Sequence, residues 1–240
     1  MLSCCHVAAL VGEIVPLGDI STNRWRHLPN LDLDPILAHS LDAFYDRGYH
    51  GTSVRDIARR VHVTVPALYY HYENKEAILN ALLDASIERV TELSLEAISD
   101  AGDDPTLRFM NLVECLVLFM ARSGKLAFVD TEWRSLGSEN RRAYTEKRRV
   151  IEQLLTDTIT AGVEAQVFDV IFPSETARAL LGMVQAVANW FRPEGPIPAQ
   201  AVADRYLDIA VHAVGANATV IQRARQRGIT MKSSNEDSEA

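Results

Sequence analysis

The sequence predicts an all-α chain in two parts, a small N-terminal three-helix unit followed by a larger C-terminal helical bundle. Three observations carry that prediction. From Pro35 onward apolar residues recur three and four positions apart, as in Ile36, Leu37, Leu41 and Phe44, which is the period of a helix with one buried face. Helix starts and stops punctuate these runs, with Asp34-Pro35 before the first and Gly48 after it, residue types suited to an N-cap, a first helical position and a stop. No stretch alternates apolar and polar residues in the period-two manner of a half-buried strand.

Taken in order, residues 1–31 form a first segment, mixed in character and interrupted by Pro16, Gly18 and Pro29. The weak apolar run Val7–Val15 lacks a basic start and a cleavage site, so a signal peptide is not expected and the segment is read as a flexible extension. Residues 32–80 hold three short helices and the start of a fourth. One runs from Pro35 to Gly48; a second follows Ser53 and turns Val54, Ile57, Ala58 and Val61 inward; a third begins at Thr64; the fourth starts after Asn74 and runs to about Asp100. Residues 81–215 continue as helices near 105–122, 125–136, 139–165, 174–191 and 198–215. The tail, 216–240, ends in Ser-Ser-Asn-Glu-Asp-Ser-Glu-Ala and lacks the apolar content that offsets chain entropy, so disorder is expected there.

Composition narrows the function. Of 240 residues, 48% are hydrophobic and 23% charged, the usage of an ordinary soluble domain, and the most apolar stretch, Leu112–Ala121, is too short for the ~20 residues that span a bilayer. A net charge of −8 argues against a surface that is basic throughout, but it is compatible with a small reading head on an acidic body. Cys4, Cys5 and Cys115 give neither a disulfide framework nor a metal-ligand spacing. A reducing cytoplasm is therefore expected, with no cofactor and no metal, and Cys115 reads as a small buried hydrophobe.

The segment Gly51-Thr-Ser-Val-Arg-Asp-Ile-Ala-Arg-Arg-Val-His-Val-Thr-Val-Pro-Ala-Leu-Tyr-Tyr-His-Tyr72 reads as a helix-turn-helix. Ala58 supplies the small residue where two helices cross, while Ile57, Val61, Val63 and Leu68 fill the wedge between them. Thr64 caps the second helix and Pro66 sits in its first turn, where the missing N–H costs no helical bond. Such a helix enters the major groove with its N-terminal residues against base edges. The face presented here is Val65, Pro66, Ala67, Tyr69 and Tyr70, which offers apolar contacts to thymine methyls and few bidentate hydrogen bonds. Much of the affinity is then expected from phosphates and part of the specificity from DNA shape.

Phe44-Tyr-Asp-Arg-Gly-Tyr-His-Gly-Thr-Ser-Val-Arg-Asp-Ile-Ala58 followed by Val63-Thr-Val-Pro-Ala-Leu-Tyr-Tyr-His-Tyr-Glu-Asn-Lys-Glu-Ala-Ile-Leu79 resembles the N-terminal domain of the TetR family of repressors. The likeness implies that Thr52 or Ser53 and Arg55 lie near the DNA backbone or groove edge. It also implies that Thr64, Tyr69, His71 and Lys75 lie against phosphates. Tyr72 and Leu68 read as core and Arg59 and Arg60 as solvated surface, while Tyr70 fits core and contact equally. One departure is His62, where the family commonly has Gly in the turn; a positive φ is expected there, which His tolerates better than a β-branched residue.

In the second part, Leu112, Leu116, Phe119 and Met120 form a stripe that reads either as core or as the lining of a pocket between helices. The run Ala179-Leu-Leu-Gly-Met through Trp190-Phe-Arg-Pro-Glu-Gly-Pro196, with Asp130–Leu136 and Tyr144–Arg149, resembles TetR-family repressors of fatty-acid or sterol-side-chain breakdown that answer to acyl-CoA thioesters. That likeness implies a ligand site including Trp133 and Trp190. Arg134, Arg141, Arg142, Arg148 and Arg149 would supply cations for its phosphates, although the same arginines also read as a solvated helix face. A homodimer is expected through 174–191 and 198–215, with Ala177, Gly182, Ala186, Ala203 and Ala210 permitting close approach. The expected function is thus a homodimeric repressor of palindromic operator DNA, released by a small hydrophobic effector. An all-helical enzyme and a helical interaction protein without DNA binding are the alternatives; no Cys/His dyad, HExxH, phosphate loop or nucleophile elbow supports the enzyme.

Overall fold

The computed structural model describes residues 24–27, 31–223 and 226. Cys4, Cys5, the run Val7–Val15 and the tail beyond 226 lie outside the described residues. Within them the regular structure is helical throughout: α1 Arg24–His27, α2 Pro35–Arg47, α3 Val54–Val61, α4 Val65–His71, α5 Lys75–Asp100, α6 Pro105–Arg122, α7 Gly124–Val129, a 3-10 helix Asp130–Ser135, α8 Ser138–Glu164, α9 Pro173–Gln185, α10 Val187–Trp190 and α11 Ala199–Ala213.

Caps fix the small N-terminal unit. The Asp34 carboxylate accepts from the N–H groups of Ile36 and Leu37 at 2.8 and 3.1 Å, opening α2 ahead of Pro35. Ser53 and Asp56 form a reciprocal capping box on α3, and Thr64 Oγ1 accepts from Ala67 N to open α4, so each helix start satisfies donors that would otherwise be orphaned. Tyr72, just past α4, donates to Asp34 at 2.7 Å and thereby ties the end of the unit to its beginning. Leu68, Ile57 and Phe44 are wholly buried between the helices.

Helix α5 is 26 residues long, about 39 Å at 1.5 Å per residue. It crosses the expected domain boundary at residue 80, so the two parts share one helix. The centre of the second part is α6, on which 13 of 18 residues are buried; a helix covered on every side has no solvent face to pattern, and α5, α8, α9 and α11 pack around it. Its buried Cys115 has its thiol pushed up by burial, which holds it protonated and unreactive. Close packing continues at Gly162, where a Cβ would fall 2.0 Å from the Phe168 ring.

Two terminal expectations need correction. Residues 24–27 are not a free arm: Trp25 is 1% exposed and its indole N–H donates to Asp100. Arg26 reaches the buried Glu114 of α6 through Nε at 3.1 Å and Nη2 at 3.2 Å, and Arg24 pairs with Glu96. A carboxylate as buried as Glu114 must be paired, and that need holds the segment down. The start of the tail is likewise ordered, since residues 218–223 are helical, Ala216 and Val220 are buried and Arg223 pairs with Asp104 at 2.7 Å.

His62 sits at φ 58°, ψ 37°, the left-handed turn expected from the sequence. Because that region penalises a Cβ, His62→Gly should raise stability by about 1 kcal/mol and His62→Val should lower it by about 1–2 kcal/mol. The check is thermal unfolding, where 1 kcal/mol moves Tm by about 2–4 °C in a chain of this size.

Candidate DNA-binding face and effector cavity

Exposure divides the expected DNA-contacting residues into two sets. Ser53, Arg55, Thr64, Pro66, Ala67, Tyr69, Tyr70 and His71 are all exposed, on the starts of α3 and α4 and along α4. Tyr70 is 88% exposed and stands edge-on to His71, which removes it from the core. Three others lie differently. Val65 is partly buried and packs on the core. Thr52 is 2% exposed, with its hydroxyl within hydrogen-bond distance of the carbonyls of Ala43 and Gly48 at 3.0 and 2.9 Å; it fastens α2 to the following loop rather than reaching the groove edge. Lys75 turns inward as well. Its Nζ donates to the carbonyls of Tyr49 and Thr52 at 2.8 and 2.9 Å and lies 4.1 Å from the Tyr49 ring centroid, and desolvation lowers its pKa.

Two acidic side chains near this face, Asp46 and Asp56, are occupied. Arg60 pairs with Asp46 at 2.6 Å, and Asp56 is held below the usual carboxylate range by its hydrogen bonds from Ser53. Arg55 makes no ion pair among the described residues, so its charge is presented outward unneutralised.

In the bundle, a cavity of about 610 Å³ lies among α5, α6, the 3-10 helix, α8 and α9. Its inner wall is apolar, with Ile87, Val90, Leu116, Phe119 and Met120, and its rim carries Trp133, Arg134, Arg148, Arg149 and Arg178. Of the residues the sequence suggested, Leu116, Phe119, Met120, Trp133, Arg134 and Arg148 line this cavity. Trp190 is not among them; it is 45% exposed and stacks on Tyr206 with ring centroids 6.3 Å apart, away from the cavity. Arg141 and Arg142 also lie outside it.

The guanidinium groups differ in what they already hold. Arg149 pairs with Glu146 and Arg178 with Glu152 and Glu175. Arg134 and Arg148 instead lie 5.0 and 5.4 Å from the Trp133 ring centroid, with no carboxylate partner among the described residues. Deeper in, Tyr144 donates to Asp130, and burial together with that carboxylate pushes its phenol well above the usual value. Sequence reading missed Tyr144 and Arg178 as cavity residues, because nothing in a helix period shows which tyrosine or arginine meets a neighbouring helix.

Two stretches of the chain match known families. Residues 36–82 match the family described as bacterial regulatory proteins, tetR family, and residues 102–214 match the tetracyclin repressor-like C-terminal domain. The HTH-type transcriptional repressor KstR2 of Rhodococcus jostii is 25% identical over 198 residues, 82% of this chain and 94% of its own length. Among solved structures, the TetR-family regulator PfmR from Thermus thermophilus superposes with a TM-score of 0.70 at 28% identity, covering 75% of this chain and 98% of that one. AibR in complex with isovaleryl coenzyme A and operator DNA superposes with a TM-score of 0.68 at 25% identity, covering 78% and 97%. KstR2 and PfmR are by name transcriptional regulators. With the reading head and the helical body each matched in their proper order, the chain belongs to the TetR family of transcriptional repressors.

Proposed function

We propose that this repressor binds a palindromic operator as a homodimer through the exposed face of α3 and α4, and that an acyl-CoA thioester occupying the bundle cavity releases it. The observation that carries the effector class is the pair Arg134 and Arg148, two guanidinium groups without carboxylate partners flanking Trp133 at the mouth of an apolar cavity. Guanidinium groups so placed suit phosphate oxygens, and the walls beyond them suit an acyl group. AibR, described above with isovaleryl coenzyme A and operator DNA, supports the same class.

Dimerisation draws on α9 and α11, through only some of the small residues the sequence suggested. Ala177, Ala203 and Ala210 are fully buried within the chain, so their small size serves packing inside it. Gly182 and Ala186 remain exposed, although both also line the cavity, and Ile209 on α11 and Trp190 at the end of α10 are 50% and 45% exposed. An apolar face of this kind suits a two-fold interface. No helix among the described residues is long and apolar enough to cross a membrane.

Two outcomes follow. In a gel shift against DNA flanking its own gene, hydrophobic acyl-CoA thioesters should displace the protein while free CoA and free acids should not. Arg134→Ala with Arg148→Ala should weaken that response about tenfold or more, as expected for lost charge-assisted contacts worth about 1.5–3 kcal/mol each. Release by free acids would remove the arginines from the site, and release by no thioester would remove the ligand class. For assembly, Ile209→Arg should bury an unpaired charge at the interface, a cost of several kcal/mol, and sediment as a monomer; a persisting dimer would place the interface elsewhere.

A further inference from the structure

The 3-10 helix Asp130–Ser135 has one edge in the cavity and another on the reading head. At three residues per turn, side chains three apart eclipse one another. Asp130 and Trp133 therefore share one edge and Thr131 and Arg134 a second, and all four line the cavity. Glu132 and Ser135 share the third edge, which meets the α2–α3 junction. Glu132 Oε1 accepts from the Tyr49 backbone N–H at 3.3 Å, Glu132 Oε2 accepts from Ser135 Oγ at 3.3 Å, and Ser135 Oγ lies 3.1 Å from His50 Nε2.

The receiving side is built to carry a displacement onward. Tyr49 is buried and packs edge-on against Phe44 of α2, and its carbonyl, with that of Thr52, holds Lys75 at the start of α5. Thr52 immediately precedes the Ser53 cap of α3. A shift of Glu132 thus acts on the junction that sets α2, α3 and α5 relative to one another. The 3-10 segment itself has no buried residue and no side-chain cap, so its position rests on side-chain partners, Asp130 with Tyr144, Glu132 with Tyr49 N and Ser135 with His50.

We propose that Glu132 is the relay between effector cavity and reading head, acting through Tyr49 directly rather than through the length of α5. The relay rests on the operator-binding half of the proposed function but not on the identity of the effector. Because coupling between two binding sites is reciprocal, a cavity edge that controls operator affinity must itself respond when operator binds.

The test uses the full-length protein labelled with 5-fluorotryptophan, with the Trp133 resonance assigned by Trp133→Phe, titrated with DNA flanking its own gene. In the wild type the Trp133 resonance should shift on operator binding. At saturating DNA, that shift should fall to about a third or less in Glu132→Ala, and independently in the milder Ser135→Ala. Circular dichroism checks that each variant is folded. A Trp133 shift of full size in both variants, or none in the operator-bound wild type, would overturn the relay. Absence of any operator binding would overturn both the relay and the DNA-binding role, and an acyl-CoA panel that fails to release the protein would leave the relay standing.

Discussion

The arrangement of head on body depends on one ammonium group. Lys75 is the first residue of α5, where the helix dipole disfavours a cation and where partial burial lowers its pKa. It persists there because two carbonyls of the α2–α3 loop accept from it, the Tyr49 ring lies beneath it and the Glu132 carboxylate adds an attractive field. Removing those partners would leave a half-buried charge unpaired, so the loop, the start of α5 and the 3-10 helix hold one another in place. Asn74 completes the joint by accepting from Ala77 N at 2.8 Å, which settles where α5 begins.

Around that joint the molecule separates two electrostatic tasks. The head presents Arg55 on a face where two carboxylates, Asp46 and Asp56, already have partners, so an overall charge of −8 does not prevent a locally favourable field at a phosphate backbone. Among the described residues the body keeps Arg134 and Arg148 without carboxylates while Arg149 and Arg178 are paired. Unpaired guanidinium groups beside an indole are available to a ligand at little cost in broken ion pairs.

Features governed by local chemistry were legible in the sequence. Asp34, Pro35 and Gly48 mark α2 because caps and φ restrictions act over a few residues, and His62 takes a positive φ because the turn between α3 and α4 requires it. Helix period placed the stripe Leu116–Met120 on an inward face but left core and cavity lining open, and it left the arginine-bearing segments open between ligand cations and a solvated face. What the sequence hid depends on partners distant in the chain. Thr52 and Lys75 look the same whether their donors meet phosphates or carbonyls. Trp25 sits in a four-residue helix too short to show a period, and its partners lie more than 70 positions away, Asp100 for Trp25 itself and Glu96 and Glu114 for the arginines on either side. The small residues Ala177, Ala203 and Ala210 permit close approach equally within a chain and between chains, and only burial shows which.

The most direct measurement of this account is the salt dependence of operator binding by Lys75→Met, which keeps the stem and removes the charge. A side chain that contacts one phosphate contributes a slope of about 0.9 in log Kobs against log salt concentration. With Lys75 bonded inward, the variant should bind more weakly at every salt concentration with its slope unchanged, and amides of residues 49–53 should exchange with solvent faster than in the wild type. A slope reduced by about one with unaltered amide protection would contradict the account and return Lys75 to the phosphate backbone.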